Sequence, residues 1–227
     1  MNKEKMFKYC FGLSAKDFPE GVIVTPFIPL KQFGRHCESV KTFKGRLFSG
    51  IIVQKNDRCF AVIQSGIGKS LIRDAVMLLG STPVKHVIFL GAAGGINDTA
   101  IGDLVLCENN RADKAYLKSA EEFFKRQIKD ERVFKKGNIF TVDSLMDETE
   151  ENLCDIKKKG FIAIDMELSA FYSAAAEIKR KAVALVFVSD LPLEKPIYER
   201  LREEEHKRYK SIVEESIHLS TGFVIQR

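Results

Sequence analysis

The sequence predicts an α/β protein, a three-layer α/β/α sandwich with a central mixed sheet. Eight apolar segments rich in β-branched residues recur along the chain, and several are apolar almost throughout, as in strands covered on both faces. Helical patterns separate them, which favours helices packed on a common sheet. The eight segments are 21–26, 47–54, 59–66, 84–95, 102–108, 137–144, 160–166 and 182–190.

Four intervening stretches are assigned to helices. Residues 69–80 and 167–178 carry apolar residues at helical spacing, and a charged helix is predicted from about Tyr198 to Leu219. The polar stretch 109–136 is interpreted as a surface helix with flanking loops. No repeat or linker interrupts the pattern, so residues 1–227 are predicted to form a single domain.

Composition excludes several classes of function. The net charge of +5 is dispersed and no basic stripe alternates with aromatic residues, which argues against nucleic-acid binding. No window approaches 18 apolar residues and the first twenty residues lack an apolar core, so neither a membrane span nor a signal peptide is predicted. We therefore expect a cytoplasmic protein.

The cysteines and histidines show no ligand spacing. The five cysteines are odd in number and widely separated, which argues against a disulfide framework or a zinc site and for a reducing compartment. The histidines are interpreted as structural or surface residues. No metal and no cofactor is expected. The residues concerned are Cys10, Cys37, Cys59, Cys107, Cys154, His36, His86, His206 and His218.

The stretch QSGIGKS (64–70) is similar to two phosphate-binding motifs but fits neither. A P-loop needs glycine five residues before Gly68, where the chain has Ile63. A dinucleotide fingerprint needs a third small residue where Leu71 stands and an acid near His86. A dinucleotide-binding oxidoreductase is therefore disfavoured, and the two glycines need another explanation.

Small and acidic residues cluster where predicted strands end, which in open α/β sheets is where ligands bind. They are Ser65-Gly66, Gly91 to Gly95, Asp143, Asp165 to Glu167 and Ser189-Asp190. The pattern predicts a binding site without naming its ligand.

Four motifs in order resemble the nucleoside phosphorylase/nucleosidase family, which includes purine nucleoside phosphorylases and methylthioadenosine/S-adenosylhomocysteine nucleosidases. They are QSGIGKS, FLGAAGGINDTAIGDLVL (89–106), GNIFTVDSLMDETEENLCDIKKKGFIAIDMEL (137–168) and ALVFVSD (184–190). Together they cover most of the chain between residues 47 and 190. The resemblance implies cleavage of an N-glycosidic bond and the three-layer fold.

The resemblance also implies roles for particular residues. Asp190 matches the general acid that protonates the purine ring, oriented by Ser189, and Glu167 matches the carboxylate that binds the ribose hydroxyls. Desolvation by the apolar strand before Asp190 would raise its pKa, as a proton donor requires. Met166 would pack on the sugar, and Leu145 and Met146 would line the base pocket. The remaining candidate substrate contacts are Asp165, Ser65, Gly66, Ala92, Ala93 and Gly94.

Each candidate also has a purely structural interpretation. Asp190 could cap a helix, and Glu167 could be a first-turn acid favoured by the helix dipole. Met166 could belong to the core. Gly94 and Gly95 could serve only the turn.

The chain departs from the family where phosphate would bind. Phe27 replaces a glycine and Lys31 an arginine of the Gly-Asp-Pro-x-Arg segment, Phe89 replaces another arginine, and Ala92 replaces a serine. The arginine that a neighbouring subunit lends in the family also has no match in 42–46. An attacking phosphate dianion needs such donors, so hydrolysis is favoured over phosphorolysis.

For hydrolysis, the group that activates the attacking water is not evident. The glutamate that does so in the family's nucleosidases is missing from the loop after the first strand. Glu20 or a residue of the C-terminal helix is a candidate substitute, or water attacks with little base assistance. Phosphorolysis with an altered anion site remains an alternative. A binding protein that has lost efficient turnover is another. The nature of the base and of the 5′ substituent stays open.

Family members assemble as dimers or hexamers, so the resemblance implies a homo-oligomer. The phenylalanines of 27–48 would form either an interface or a closed apolar wall. They are Phe27, Phe33, Phe43 and Phe48.

Overall fold

The structure, a computed structural model, describes residues 2–35, 39–55 and 57–226. His36 and Cys37, which entered the sequence interpretation, lie outside the described residues. The strands are β1 (Gly21–Thr25), β2 (Ser39–Lys44), β3 (Ser49–Lys55), β4 (Arg58–Gln64), β5 (His86–Gly95), β6 (Leu104–Cys107), β7 (Phe134–Gly137), β8 (Ile139–Thr141), β9 (Ala163–Asp165) and β10 (Lys181–Asp190). The α-helices are α1 (Lys3–Phe11), α2 (Leu30–Phe33), α3 (Lys69–Leu78), α4 (Lys114–Gln127), α5 (Glu150–Lys158), α6 (Leu168–Glu177) and α7 (Glu203–Ile225).

One mixed sheet of ten strands organises the fold. Its order is β2-β3-β4-β1-β5-β10-β6-β7, with β9 joined to β5 and β8 to β9. The central strands β4, β1, β5 and β10 are parallel, while β3 and β6 continue the sheet antiparallel on either side. The central strands are buried along both faces, which explains their nearly continuous apolar sequences.

Helices cover both faces of the sheet, so the predicted three-layer architecture is confirmed. In β1, Val22 and Val24 pack in a core cluster with α3 and α6, whereas Ile23 packs in a second cluster with α4 and α7. The same alternation runs along β5 and β10. Period-2 side-chain orientation thus fills two cores from one set of strands.

All eight predicted strands are present, but the prediction missed β2, β7, α1, α2 and α5. β2 reads SVKTFK and pairs only with β3 at the sheet edge, so it carries too little apolar sequence to be recognised. The stretch 109–136 does contain the surface helix α4, but treating its remainder as loops was wrong because β7 pairs there with β6.

The C-terminal helix begins later than predicted and runs further. Instead of starting near Tyr198, α7 starts at Glu203, where Glu205 closes a capping box with Arg202, and it ends at Ile225. The segment between β10 and α7 forms turns and an isolated bridge between Leu191 and Lys195. Within the described ranges, no helix combines the length and apolar character needed to cross a membrane.

The phenylalanine-rich stretch forms an apolar wall rather than an exposed patch. Phe33, Phe43 and Phe48 are buried, and the Phe48 ring lies 5.0 Å from the Phe11 ring of α1. Phe27 alone of the four is exposed. The three buried rings therefore belong to the core.

Candidate active site

β5 extends beyond the strands beside it, and this leaves part of one edge uncovered. β10 pairs along one edge of β5 from His86 to Gly94. On the other edge β1 pairs only as far as Phe89, and the antiparallel β9 pairs only with Gly94 and Gly95. Among the described strands none pairs with this edge over 90–93. We call the gap between the ends of β1 and β9 beside these residues the notch.

The QSGIGKS turn closes the notch from the β1 side. β4 runs parallel to β1, so its C-terminal turn emerges at the same level as the end of β1. Gly66 has φ 81° and Gly68 has φ 106°, conformations that favour glycine. The Gly68 backbone N–H donates a 2.6 Å hydrogen bond to Glu167 Oε1, which follows β9. Two motifs that are distant in sequence therefore meet across the notch, which explains why the strand ends in two glycines.

Glu167 is a buried carboxyl group with one oxygen committed to the protein. Its side chain is 5% exposed, and burial raises its pKa to about 7, reinforced by the negative charge of Asp165 and opposed by the Gly68 amide. The Met166 backbone N–H also favours its ionised form. A desolvated carboxylate is suited to accept hydrogen bonds from a ligand's hydroxyl groups.

Asp165 holds the start of α6 in place. Its Oδ2 accepts hydrogen bonds from the backbone N–H groups of Glu167, at 2.7 Å, and Leu168, at 2.5 Å. Its Oδ1 accepts from the Thr141 hydroxyl at 2.7 Å. Burial raises its pKa to about 6, although these donors favour the ionised form. Its contacts are those of a residue that positions Glu167, and substrate contact stays a prediction.

Asp190 lies at the end of β10 and accepts hydrogen bonds while buried. The Ser189 hydroxyl donates to Asp190 Oδ1 at 2.6 Å, as expected for an orienting serine, and the Ile197 backbone N–H also donates to this carboxyl. Asp190 is 6% exposed, and burial raises its pKa despite these two donors. The direction and cause of this shift are those expected from the apolar strand.

The segment after β10 folds back beside Asp190. Leu191 and Lys195 form the bridge noted above, and Lys195 forms an ion pair with Glu205 at the start of α7. A cavity of about 180 Å³ lies between Asp190, Ile197 and Tyr209.

Three of the other predicted residues lie on β5 itself. Ala92, Ala93 and Gly94 lie on β5 beside it, and a side chain at Gly94 would collide with Pro192. Their contact with a ligand remains a prediction.

The remaining predicted residues lie on three segments and differ in exposure. Ser65 is buried in the turn after β4, where its hydroxyl donates to the Gly66 carbonyl at 2.9 Å. Met166 is partly buried against the cluster that includes Ile164. Leu145 and Met146, on a 3₁₀ turn (Leu145–Asp147), are 56% and 83% exposed.

Sequence reasoning missed three residues of this region. Gly68 was read only as part of a turn, although its amide contacts Glu167. Lys69 forms a 2.6 Å ion pair with Asp143, which ties the turn after β4 to the segment after β8. Glu148 stands in an acidic run, and its partial burial gave no signal in the sequence. This burial, reinforced by the charge of Asp190, raises its pKa to about 7.

The positions where the resemblance expects phosphate donors are apolar. Phe89 is fully buried and lies 5.5 Å from the Phe171 ring of α6, in the core rather than the notch. Phe27 packs edge to face on Phe187 with ring centroids 6.4 Å apart. Neither ring can bind an anion's oxygens by hydrogen bonding.

The fold is that of an α/β protein, and the chain also matches a known protein family. The family model described as the phosphorylase superfamily matches residues 22–224, and the chain belongs to that superfamily. The recognition from the four motifs is thereby confirmed.

The similar proteins carry consistent names. Purine nucleoside phosphorylase DeoD-type of Buchnera aphidicola is 32% identical over 123 residues, covering 47% of this chain and 52% of the relative. The protein of the same name from Colwellia psychrerythraea is 30% identical over 57% of this chain and 63% of the relative. The chain thus spans about half to two thirds of these relatives. A uridine phosphorylase crystal structure from Vibrio fischeri shares the fold, with a TM-score of 0.79, 18% identity and 93% coverage of both chains.

The raised pKa values of Glu167 and Asp165 predict that stability falls as pH rises from 5 to 8. Their folded-state pKa values, about 7 and about 6, lie above the ordinary 4.5 and 3.8. Their stabilising contribution is therefore complete below about pH 4 and is lost as pH rises through 6 and 7. For Glu167 the loss is at most about 3 kcal/mol.

Urea unfolding between pH 5 and 8 measures this loss. Glu167→Gln should flatten the decline, whereas Glu177→Gln, an exposed acid on α6, should leave it unchanged. A decline of the same size in Glu167→Gln and the wild type would contradict the assignment.

Proposed function

We propose that the protein cleaves the N-glycosidic bond of a nucleoside, with a purine as the expected base. The observation that carries this proposal is the presence of two desolvated carboxyl groups beside the C-terminal part of β5, one on each edge of this strand. Glu167 is held across the notch by Gly68, and Asp190 ends the strand on the other side of β5. Superfamily membership supports the reaction class.

The two carboxyl groups suit the two charges of the reaction. As the bond between C1′ and the base nitrogen breaks, the sugar becomes positive and the base becomes negative. Asp190 donates a proton to the purine ring, a contribution of about 10²–10⁴-fold in rate. The Glu167 carboxylate accepts hydrogen bonds from the ribose 2′- and 3′-hydroxyls, and its charge stabilises the oxocarbenium-like sugar.

Hydrolysis is favoured as the reaction because the expected phosphate donors are replaced by apolar residues. Phe27, Phe89 and Ala92 leave no arginine or serine to bind a dianion in the family's manner. Phosphorolysis is the second candidate, supported by the names of the similar proteins. Nucleoside binding without turnover is the third.

A homo-oligomer is also part of the proposal. Exposed apolar side chains lie on the segments that follow β1, β4, β8 and β10, and a second copy covering them would exclude water from the site. They are Phe27, Ile67, Leu71, Leu145, Met146, Ile197 and Tyr198. A cytoplasmic location is proposed from the free cysteines of the described chain, Cys10, Cys59, Cys107 and Cys154.

The activity is tested by base release from a nucleoside panel with and without phosphate. The panel is methylthioadenosine, adenosine, inosine, guanosine and uridine, followed by chromatography. We expect phosphate-independent release that Asp190→Asn reduces by about 10²–10⁴-fold because proton donation is lost. Asp155→Asn, an exposed acid on α5, serves as the matched control and should keep full activity.

The other outcomes separate the candidates. Release only in the presence of phosphate would establish phosphorolysis and contradict the inference from the apolar substitutions. Saturable binding without release would favour the third candidate.

The assembly is tested by light scattering at micromolar concentration. We expect a mass of at least twice the 25.7 kDa of the chain. Tyr198→Lys should weaken association because it places a charge among these exposed apolar side chains. Tyr9→Lys, on the exposed surface of α1 outside this group, should not. A monomeric wild-type protein would exclude a site shared between subunits.

A further inference from the structure

A cavity outside the candidate active site lies between α2, the end of β3 and α7, and we call it the α2–α7 cavity. Its volume is about 260 Å³. Pockets that hold drug-sized ligands usually measure about 300–1,000 Å³, so this cavity suits a smaller molecule. Its polar lining consists of Gln32, Arg35, Lys55, Glu214, His218 and Thr221.

The register of the sheet separates the α2–α7 cavity from the notch. Lys55 ends β3 and pairs with Arg58 at the start of β4, whereas the notch lies beside the C-terminal ends of β1 and β4. On α7, Thr221 lies one turn before Val224, which lies against Gly21 at the start of β1. None of the lining residues is a candidate residue of the notch. A ligand in this cavity would therefore occupy a second site.

One face of α7 supplies half of the lining. Glu214, Ile217, His218 and Thr221 are spaced three or four residues apart, which places them on the same side of the helix. Ile217 is buried in the same core cluster as Phe33 of α2, and both border the cavity. The floor of the cavity is therefore apolar and is held by core packing.

Three basic side chains from three parts of the chain converge on this cavity. Arg35 follows α2, Lys55 ends β3 and His218 lies on α7. The one acid in its described lining, Glu214, accepts a 3.5 Å hydrogen bond from Arg35. The side chains of this ion pair are 58% and 71% exposed, so the pair is weak and can open for another anion. Because basic groups outnumber the acid, the cavity favours an anionic ligand.

Two polar atoms of the lining are buried and lack a hydrogen-bond partner within the described chain. They are Oε1 of Gln32, on α2, and Oγ1 of Thr221, on α7. An amide oxygen can only accept a hydrogen bond, whereas a hydroxyl group can both donate and accept. Buried polar groups are normally paired. Hydroxyl groups on a ligand could pair with both atoms, because a hydroxyl also donates and accepts.

We propose that the α2–α7 cavity binds a small phosphate ester that carries free hydroxyl groups. A phosphate ester has a charge of about −1.5 to −2 and three peripheral oxygens, which suits basic groups that approach from three sides. Arg35, Lys55 and His218 bind the phosphate, and Gln32 and Thr221 bind the hydroxyl groups. A pentose phosphate has the required size, whereas a dinucleotide is far larger. This inference does not depend on the proposed N-glycosidic cleavage.

The test is calorimetry at pH 7 and low salt with ribose 5-phosphate, inorganic phosphate and ribose. We expect wild type to bind ribose 5-phosphate about tenfold more tightly than inorganic phosphate, because the ester adds hydroxyl contacts. Ribose should not bind at the same concentrations. Lys55→Gln should weaken binding of ribose 5-phosphate by about tenfold to hundredfold, as for hydrogen bonds to a charged group. Lys41→Gln, an exposed lysine of β2 outside the cavity, is the matched control and should bind as wild type.

Thr221→Val separates the two halves of the ligand, because valine keeps the shape of threonine and removes its hydroxyl. We expect it to weaken ribose 5-phosphate by about threefold to tenfold and to leave inorganic phosphate unchanged. Equal affinity of wild type for inorganic phosphate and ribose 5-phosphate would overturn the proposal, since only an anion site would remain. Unchanged ribose 5-phosphate binding in either Lys55→Gln or Thr221→Val would also overturn it.

A variant at the notch identifies which site the ligand occupies. Glu167→Gln should leave the affinity for ribose 5-phosphate unchanged, because Glu167 lies outside the α2–α7 cavity. A loss of binding in Glu167→Gln with no loss in Lys55→Gln would place the ligand in the notch and overturn the proposal. These measurements follow binding alone, so their outcome is independent of whether the protein releases a base.

Discussion

The candidate site depends on the length of one strand. β5 continues to Gly95 while β1, on one of its edges, stops at Phe89, and β9 reaches that edge only from the opposite direction. Main-chain groups along 90–93 therefore lie beside a gap rather than a neighbouring strand. The gap brings the end of β9 towards the turn after β4, so that Gly68 can hold Glu167. Small residues at 91–95 fit this arrangement because Gly91 already lies against Phe89 and Pro26, and Gly94 against Pro192.

This geometry buries three acidic side chains, which costs free energy of folding. Asp165, Glu167 and Asp190 are each at most 6% exposed, and in each the loss of hydration raises the pKa. Backbone amides and hydroxyl groups limit the cost, since Gly68, Ser189 and Thr141 each donate to one of them. Such groups lower stability near neutral pH and are typical of functional sites. The same desolvation that costs stability makes Asp190 a better proton donor.

Sequence reasoning succeeded where a signal was local. Continuous apolar runs identified the central strands, and Glu167 and Asp190 stood out as acids at strand ends. It failed where the signal was weak or depended on distant contacts. β2 is a polar edge strand, and β7 has only four residues within a charged stretch. The antiparallel pairing of β9 with β5 and the hydrogen bond between Gly68 and Glu167 depend on how the strands align with one another. No single segment of the sequence encodes this register. Glu148 could not be distinguished from Glu150 and Glu151 in the sequence, because only the fold buries part of it while the other two stay exposed.

The central claim is that the Glu167 carboxylate binds the 2′- and 3′-hydroxyls of a ribose at the notch. Binding measurements without turnover test it most directly. In the Asp190→Asn protein, calorimetry compares inosine with 2′,3′-dideoxyinosine. We expect the loss of both hydroxyls to weaken binding about tenfold to hundredfold, as for hydrogen bonds to a charged group. Adding Glu167→Gln should largely abolish this discrimination. Equal discrimination with and without Glu167→Gln would contradict the claim, because the ribose hydroxyls would then be bound elsewhere.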